Sequence, residues 1–212
     1  KPPITSFGVI VLAAGSSRRM GTPKQLLPFR GRSLLRHCVE TALAAGAAAT
    51  AVVLGAEASR MRAEIGDYPV DMLVNEDYGT GMAGSIVRGV KAMREGHPEI
   101  DGVLIMVCDQ PFVSAAHLGR LVMEQRETGA ARVSSHYGDT RGVPALFHQS
   151  LFGELLALQG DRGARSLIER YGDLSRCLPF PEGAIDIDTP DAYAALASLR
   201  ENETLPSPAP GD

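Results

Sequence analysis

Short apolar runs that alternate with stretches of helical periodicity predict an α/β fold, in which a mostly parallel sheet lies between two layers of helices. The early apolar runs show no alternation with polar residues, which is typical of strands buried on both faces. The segments between them carry apolar residues at helical spacing. Strands are therefore predicted at residues 8–13, 49–54, 70–74, 102–107, 132–135 and 143–147.

Helices are predicted between these strands. The first has Ser33 as its N-cap, ahead of the apolar pair Leu34 and Leu35, and Gly46 at its C-terminal end. The others are expected near residues 57–65, 82–94, 114–127, 150–158, 164–171 and 191–199. After residue 128 the pattern loosens, and a further short strand is expected before the last helix. We expect one domain over residues 1–200, with halves at about 7–128 and 129–200, and a disordered Pro-rich tail at 201–212.

Composition excludes several classes of protein. The net charge of −4 argues against a general nucleic-acid binder. The three cysteines are far apart and lack a CxxC spacing, which indicates reduced thiols and not a disulfide framework. No apolar run approaches the roughly 20 residues that a membrane helix needs. We therefore expect a cytoplasmic protein with neither a nucleic-acid nor a membrane partner.

Positive charge is concentrated near the N-terminus. Residues 1–39 contain seven Lys or Arg and no Asp or Glu. The stretch AAGSSRRMGTPK follows the first predicted strand, and open parallel sheets bind ligands at the carboxyl ends of their strands. Small residues there let the backbone approach a ligand, and successive amides can bind an anion. The stretch fits neither GxGxxG nor GxxxxGK[ST], so it is an anion-binding loop of neither class.

The stretch LAAGSSRRMGTPK resembles the nucleotidyltransferase signature LxAAGxSxRMG followed by PK. The resemblance implies a Rossmann-like three-layer sandwich of the nucleotide-diphospho-sugar transferase type. It also implies that the Leu-Ala-Ala-Gly backbone receives the base and ribose, that the loop amides and arginine bind the phosphates, and that Lys24 meets charge at the α-phosphate. Arg19 and Lys24 would be catalytic. The nucleotide-binding residues implied here are Leu12, Ala13, Ala14, Gly15, Ser16, Arg18, Arg19 and Lys24.

Two aspartates are predicted metal ligands. Asp109 ends the apolar run VLIMVCD, at the tip of a central strand, where its carboxylate could hold Mg²⁺ and take part in catalysis. Asp188 lies in AIDIDTPDAY, which is similar to a family element whose aspartate supplies a second carboxylate to the metal. The alternative is that this segment caps the last helix through Thr189 or Asp191. We expect Mg²⁺ as the cofactor.

Four further stretches resemble the molybdenum cofactor cytidylyltransferase group: NEDYGTGMAGSI, DQP, RGVPALF and LQGDRGARSLI. Asn75, Gly81, Met82 and Ser85 would add to the nucleotide site, and Pro144, Gly163, Ala164 and Arg165 would bind the acceptor. The alternative for Asn75 is a turn residue, and the alternative for Ser85 is the start of a helical turn. The alternative for GDRGAR is a helix start capped by Asp161.

The resemblance implies Mg²⁺-dependent transfer of CMP from CTP to molybdopterin, with release of pyrophosphate. The guanylyl relatives usually carry LAGG in the first loop, and the methyl group of Ala14 takes room that a purine would use, which favours CTP. A recipient molybdoenzyme is a further expected partner. Two alternatives stay open. One is the same chemistry with GTP or on a sugar phosphate or methylerythritol phosphate, and the other is a non-catalytic cofactor chaperone or nucleotide-binding protein.

Overall fold

The computed structural model describes residues 1–17, 20–160, 167–168, 175–187 and 189–194. Most of the predicted helix at 164–171, the end of the last predicted helix and the whole tail at 201–212 lie outside these ranges. The strands are β1 (Phe7–Ala13), β2 (Pro28–Phe29), β3 (Arg32–Ser33), β4 (Ala49–Leu54), β5 (Asp71–Val74), β6 (Gly102–Val107), β7 (Arg132–Tyr137), β8 (Thr140–His148) and β9 (Ser175–Pro179). The helices are α1 (Leu34–Leu43), α2 (Ala58–Ile65), α3 (Met82–Gly96), α4 (Ala115–Thr128) and α5 (Phe152–Leu156).

Seven strands form one sheet in the order β5-β4-β1-β6-β8-β7-β9, and β2 and β3 form a separate hairpin. The four strands β5, β4, β1 and β6 run parallel. β8 is antiparallel to both of its neighbours, and β9 is parallel to β7. This confirms the predicted mostly parallel sheet. The chain leaves β1 toward β4 and returns on the other side as β6, so the strand order reverses between β1 and β6.

The sheet is covered on both faces, which makes three layers. All seven residues of β1 are buried. Val9 and Val11 pack with residues of α1, α2 and α4, whereas Ile10 and Leu12 pack with α3 and α5 on the opposite face. Because side chains alternate across a strand, a strand that is apolar throughout supplies core to both layers. The structure is the predicted Rossmann-like three-layer sandwich.

Local signals set the ends of two helices. The hydroxyl of Ser33 accepts a hydrogen bond from the amide of Arg36 at 3.1 Å, which confirms the predicted N-cap. Helix α1 ends earlier than predicted, at Leu43, and Gly46 follows in the left-handed region with φ of +74°. In the last helix the hydroxyl of Thr189 accepts from the amide of Ala192 at 3.2 Å. Thr189 is therefore a cap of that helix.

Strands β7, β8 and β9, which come from the predicted second half of the chain, extend the same sheet as the first half. β8 runs antiparallel to β6, so its first residues continue past the carboxyl end of β6. This places the RGVPALF stretch beside the edge where β1 and β6 end. Within the described ranges, no helix combines the length and apolar character needed to cross a membrane.

Candidate active site

A cavity of about 400 Å³ opens at the carboxyl edge of the sheet, where β1 and β6 end side by side. Three segments far apart in sequence meet there: the loop after β1, the loop that leads into α3, and the residues after β6. Open α/β sheets bind ligands at such a reversal of strand order. The cavity is lined by Leu12, Ala13, Ala14, Gly15, Ser16, Lys24, Gln25, Tyr78, Gly79, Gly81, Met82, Ser85, Val107, Cys108 and Asp109.

An ion pair lies in this cavity. Lys24 begins a short 3₁₀ helix, Lys24–Leu26, and Asp109 lies two residues past β6. The ammonium Nζ of Lys24 donates to Oδ2 of Asp109 at 2.6 Å, and both side chains are mostly buried. The structure thus brings together the predicted phosphate-binding lysine and a predicted metal ligand. A cation on Asp109 would compete with Lys24 for this oxygen, and the lysine could then serve a phosphate.

Asn75 supports Ser85 from behind the cavity. Asn75 is buried, its amide Nδ2 donates to the hydroxyl of Ser85 at 3.0 Å, and its Oδ1 accepts from the amide of Asp77 at 3.2 Å. Of the two predicted residues, only Ser85 lines the cavity. Asn75 therefore combines the turn role that we left open with orientation of a cavity-lining hydroxyl.

Gly55 and Tyr78 were missed by the sequence analysis. Gly55 is the residue after β4, and a Cβ atom there would lie 2.5 Å from the carbonyl oxygen of Ala14 and 2.7 Å from Cβ of Tyr78. Only glycine therefore lets the end of β4 approach the first loop this closely. Tyr78 and Met82 line the cavity and are 37% and 43% exposed. Exposed side chains of this size at a cavity suit contact with a flat ring.

Pro144 lies elsewhere. It is buried in β8 and does not line the cavity. Its carbonyl oxygen accepts from the hydroxyl of Ser135 at 2.7 Å, so Ser135 must in turn accept from Nε2–H of His117, also at 2.7 Å. This order fixes the tautomer of His117, because only its bare Nδ1 can accept from Arg120 at 2.9 Å. These buried hydrogen bonds thus connect α4, β7 and the middle of β8.

His117 is neutral in this network. Burial, followed by the positive charge of Arg120, lowers the pKa of His117 to about 4. Its ring stacks on that of Phe180 with 4.4 Å between the centroids. His117 and Arg120 line an open groove of about 680 Å³ between α1 and α4, which contains no predicted site residue that the structure describes. His117 is therefore a structural residue that joins α4 to β7.

The remaining predicted site residues lie outside the described part of the chain. They are Arg18, Arg19, Gly163, Ala164, Arg165 and Asp188. Their predicted contacts with phosphate, acceptor and metal stay predictions.

The fit of a metal can be judged at Asp109. Among the described residues no cluster of three or more His, Cys, Asp or Glu side chains could hold a metal ion, and Asp109 is the only acidic side chain that lines the cavity. Mg²⁺ takes oxygen ligands, keeps several waters and is usually bound through one or two carboxylates together with substrate phosphates. A single carboxylate beside a phosphate-sized space fits that mode.

Comparisons with known proteins place the chain in a family. Residues 9–174 match the model of the MobA-like NTP transferase domain. Nicotine blue oxidoreductase of Paenarthrobacter nicotinovorans is 32% identical over 191 residues, covering 85% of this chain and 91% of that protein. Purine catabolism protein PucB of Bacillus subtilis (strain 168) is 33% identical over 195 residues, covering 87% and 92%.

Solved structures agree with this assignment. The crystal structure of Rv0371c from Mycobacterium tuberculosis H37Rv has a TM-score of 0.80 at 34% identity, covering 92% of this chain and 99% of that chain. A complex of Rv0371c with manganese has a TM-score of 0.75 at 32% identity, covering 92% of this chain and 99% of that chain. A family model that spans most of the chain, and relatives above 30% identity over most of their length, decide the assignment. The chain belongs to the MobA-like NTP transferase family and is a nucleotidyltransferase.

Proposed function

We propose that this nucleotidyltransferase moves CMP from CTP to the terminal phosphate of molybdopterin and releases pyrophosphate, with Mg²⁺ as its cation. The observation that carries the proposal is the 2.6 Å contact between Lys24 and Asp109, in a cavity that the small residues of the first loop also line. A lysine that can reach phosphate oxygens and a carboxylate that can hold a cation are the two groups that this reaction needs.

The chemistry is an in-line displacement. An oxygen of the acceptor phosphate forms a bond to the α-phosphorus of CTP, and the bond from that phosphorus to the bridging oxygen breaks. Pyrophosphate leaves with the electron pair. Such transfers depend on positioning and charge stabilisation more than on covalent help from the protein. An acyl-transfer triad is not required.

The predicted site residues have the following roles in this reaction. The backbone of Leu12 to Gly15 and the hydroxyl of Ser85 receive the nucleoside, while Ser16, Arg18 and Arg19 bind the phosphates. Lys24 stabilises charge at the α-phosphate, where one cation at about 4 Å contributes about 4 kcal/mol before desolvation at an effective dielectric near 20. Asp109 and Asp188 would hold Mg²⁺, and the bound ion would neutralise charge on the departing pyrophosphate. The manganese complex of Rv0371c supports the use of a divalent cation.

Ala14 supports CTP over GTP. It lines the cavity, it is buried, and both its Cβ atom and its carbonyl oxygen lie close to Gly55 at the end of β4. A side chain at this position leaves less room for a base than glycine does. The motifs RGVPALF and LQGDRGARSLI support a pterin acceptor, with Gly163, Ala164 and Arg165 on the acceptor side and the buried Pro144 acting through the position of β8. A recipient molybdoenzyme and a cytoplasmic location belong to the same proposal.

The test is pyrophosphate release from CTP and from GTP, with Mg²⁺, in the presence and absence of purified molybdopterin. We expect release only with CTP and the pterin together. Release with GTP, or with a sugar phosphate or methylerythritol phosphate in place of the pterin, would replace the substrates in the proposal. Tight binding of CTP and pterin without release would favour the non-catalytic chaperone.

One relative is named an oxidoreductase, so consumption of nicotine blue is measured in parallel. Turnover of nicotine blue without any pyrophosphate release would contradict the proposal.

A further inference from the structure

Gln25 is a buried polar residue directly beneath the first loop. It is 2% exposed, it belongs to the 3₁₀ helix Lys24–Leu26, and it borders the cavity. Its amide Nε2 donates to two carbonyl oxygens of the loop, those of Ala13 at 3.0 Å and Gly15 at 2.8 Å. Its Oε1 accepts from the hydroxyl of Ser17 at 3.2 Å. Only the NH₂ group can meet two carbonyls, so the orientation of the amide is settled by its partners.

The carbonyl between these two is also held by the protein. The oxygen of Ala14 accepts from the amide of Ala56, after β4, at 3.3 Å. Three consecutive carbonyl oxygens of the loop therefore have protein donors. These oxygens carry partial negative charge, and each is directed toward a protein donor and not toward a phosphate in the cavity.

Each of these carbonyl groups shares a peptide unit with the N–H of the next residue. In a trans peptide the N–H points away from the C=O. Because Gln25 holds the oxygens of Ala13 and Gly15, the N–H groups of Ala14 and Ser16 point away from Gln25. Neither N–H has a backbone or side-chain acceptor among the residues that the structure describes. Successive amides directed to one side form a site for an anion.

Gln25 also reaches Lys24 through Ser17. The hydroxyl of Ser17 donates to Gln25 and accepts from the backbone amide of Lys24 at 3.0 Å. Ser17 has a positive φ of 50°, which is uncommon for a residue other than glycine and needs support from its surroundings. One side chain thus connects the loop amides to the backbone of the lysine that meets Asp109.

We propose that Gln25 is a positioning residue of the nucleotide site, which turns the loop carbonyls inward so that the loop amides face the triphosphate. This inference rests on the proposed function and adds to it a residue with no direct role in the chemistry. The consequence is that loss of the Gln25 amide weakens triphosphate binding although no phosphate-contacting group is changed.

The chain offers a matched control in Gln125. This glutamine is fully buried near the C-terminal end of α4, where its Nε2 donates to the carbonyls of Pro2 at 3.1 Å and Ala130 at 3.2 Å. Its Oε1 accepts from the amide of Ile4 at 2.8 Å. Like Gln25, Gln125 donates to two backbone carbonyls and accepts one hydrogen bond, from a backbone amide instead of a hydroxyl, but it does not line the cavity.

The experiment compares Gln25→Met with Gln125→Met by calorimetric titration with Mg²⁺ and CTP, and by thermal unfolding. Both variants leave one buried and one partly buried carbonyl without a donor, so both should unfold at lower temperature. We expect Gln25→Met to weaken CTP binding by about ten- to a hundredfold. Gln125→Met should leave it within about threefold, because its bonds are local to the far edge of the sheet. Gln25→Glu, which keeps the acceptor for Ser17 but not the two donors, should behave as Gln25→Met does.

The outcomes are distinguishable. A Gln25→Met or Gln25→Glu protein that folds and binds CTP as the wild type does would overturn the role of Gln25 and leave the proposed function intact. Equal loss of affinity in the Gln125→Met protein would show a general stability effect and would also overturn it. If the wild type binds GTP and not CTP, the same comparison is made with GTP. A wild type that binds neither nucleotide overturns the proposed function and this inference together.

Discussion

The glycine after β4 offers a sharp test of how the first loop is built. In Gly55→Ala, the added methyl carbon would lie 2.5 Å from the carbonyl oxygen of Ala14, 2.7 Å from Cβ of Tyr78 and 2.9 Å from Cβ of Ala14. Real Cβ atoms essentially never approach other atoms this closely. Two of the three atoms belong to the loop that lines the cavity, and one is a backbone atom. The loop must therefore move.

The expected cost follows from these contacts. Overpacking a well-packed site costs about 1–3 kcal/mol. Gly55 has no positive φ, so replacing glycine by alanine returns about 0.4–1 kcal/mol through the unfolded chain. The net loss of unfolding free energy is about 1–2 kcal/mol, which lowers the melting temperature by a few degrees for a chain of this size. Because Ala14 is displaced, CTP binding should weaken by about tenfold or more.

Thermal unfolding and CTP titration measure both effects, and Gly119→Ala is the control. Gly119 lies in α4, where an added Cβ would meet nothing within 4 Å. This second variant should be more stable by about 0.5–1 kcal/mol, since alanine is the better helix former, and its CTP affinity should equal that of the wild type. A Gly55→Ala protein with wild-type stability and wild-type CTP affinity would refute the packing argument.

Three further outcomes are expected. Lys24→Ala should lower the rate of pyrophosphate release by about 10²-fold or more, as loss of one preorganised charge donor does. The control Lys91→Ala, at an exposed position of α3, should leave the rate unchanged. Equal rates for Lys24→Ala and the wild type would remove Lys24 from the mechanism. Ala14→Gly should raise the use of GTP relative to CTP by about tenfold or more, because one methyl group in a pocket has that effect; an unchanged ratio would contradict the assignment of base choice. The pKa of His117 is about 4 in the folded protein, below its ordinary value of 6.5, so protonation favours the unfolded chain. Stability should fall from pH 6.5 toward pH 4, and His117→Gln should lose less over that window in denaturant titrations; equal losses would show that His117 is not the titrating group.

Much of the fold could be predicted because burial on both faces leaves a plain pattern. β4 and β6 begin and end where the sequence predicted, since β6 is an apolar run and β4 is interrupted only by the buried Thr50. β7 and β8 are longer than predicted. β7 extends to Tyr137 and β8 begins at Thr140. The residues added at these ends pair across the two strands and are half-buried or exposed. Cross-strand hydrogen bonds define these residues as strand, and hydropathy does not report such bonds.

The site was predictable in part for a similar reason. The first loop and Asp109 carry a sequence pattern, and the parallel pairing of β1 with β6 brings them together. Gln25, Gly55 and His117 carry no such pattern. Their roles arise from contacts with residues far away in the chain, or with backbone atoms that have no sequence signature. From the sequence alone, Gln25 would be predicted to lie on the surface, and only its carbonyl partners in the structure show that it is buried.

The central claim is that the cavity at the ends of β1 and β6 transfers a nucleotidyl group. The most direct measurement follows the label from CTP carrying ³²P at either the α or the γ position, in a reaction with Mg²⁺ and molybdopterin. We expect the α label to move to the pterin product and the γ label to appear in pyrophosphate, with both slowed by about 10²-fold or more in Lys24→Ala. Appearance of the γ label as inorganic phosphate, or an α label that stays with unreacted CTP, would contradict it.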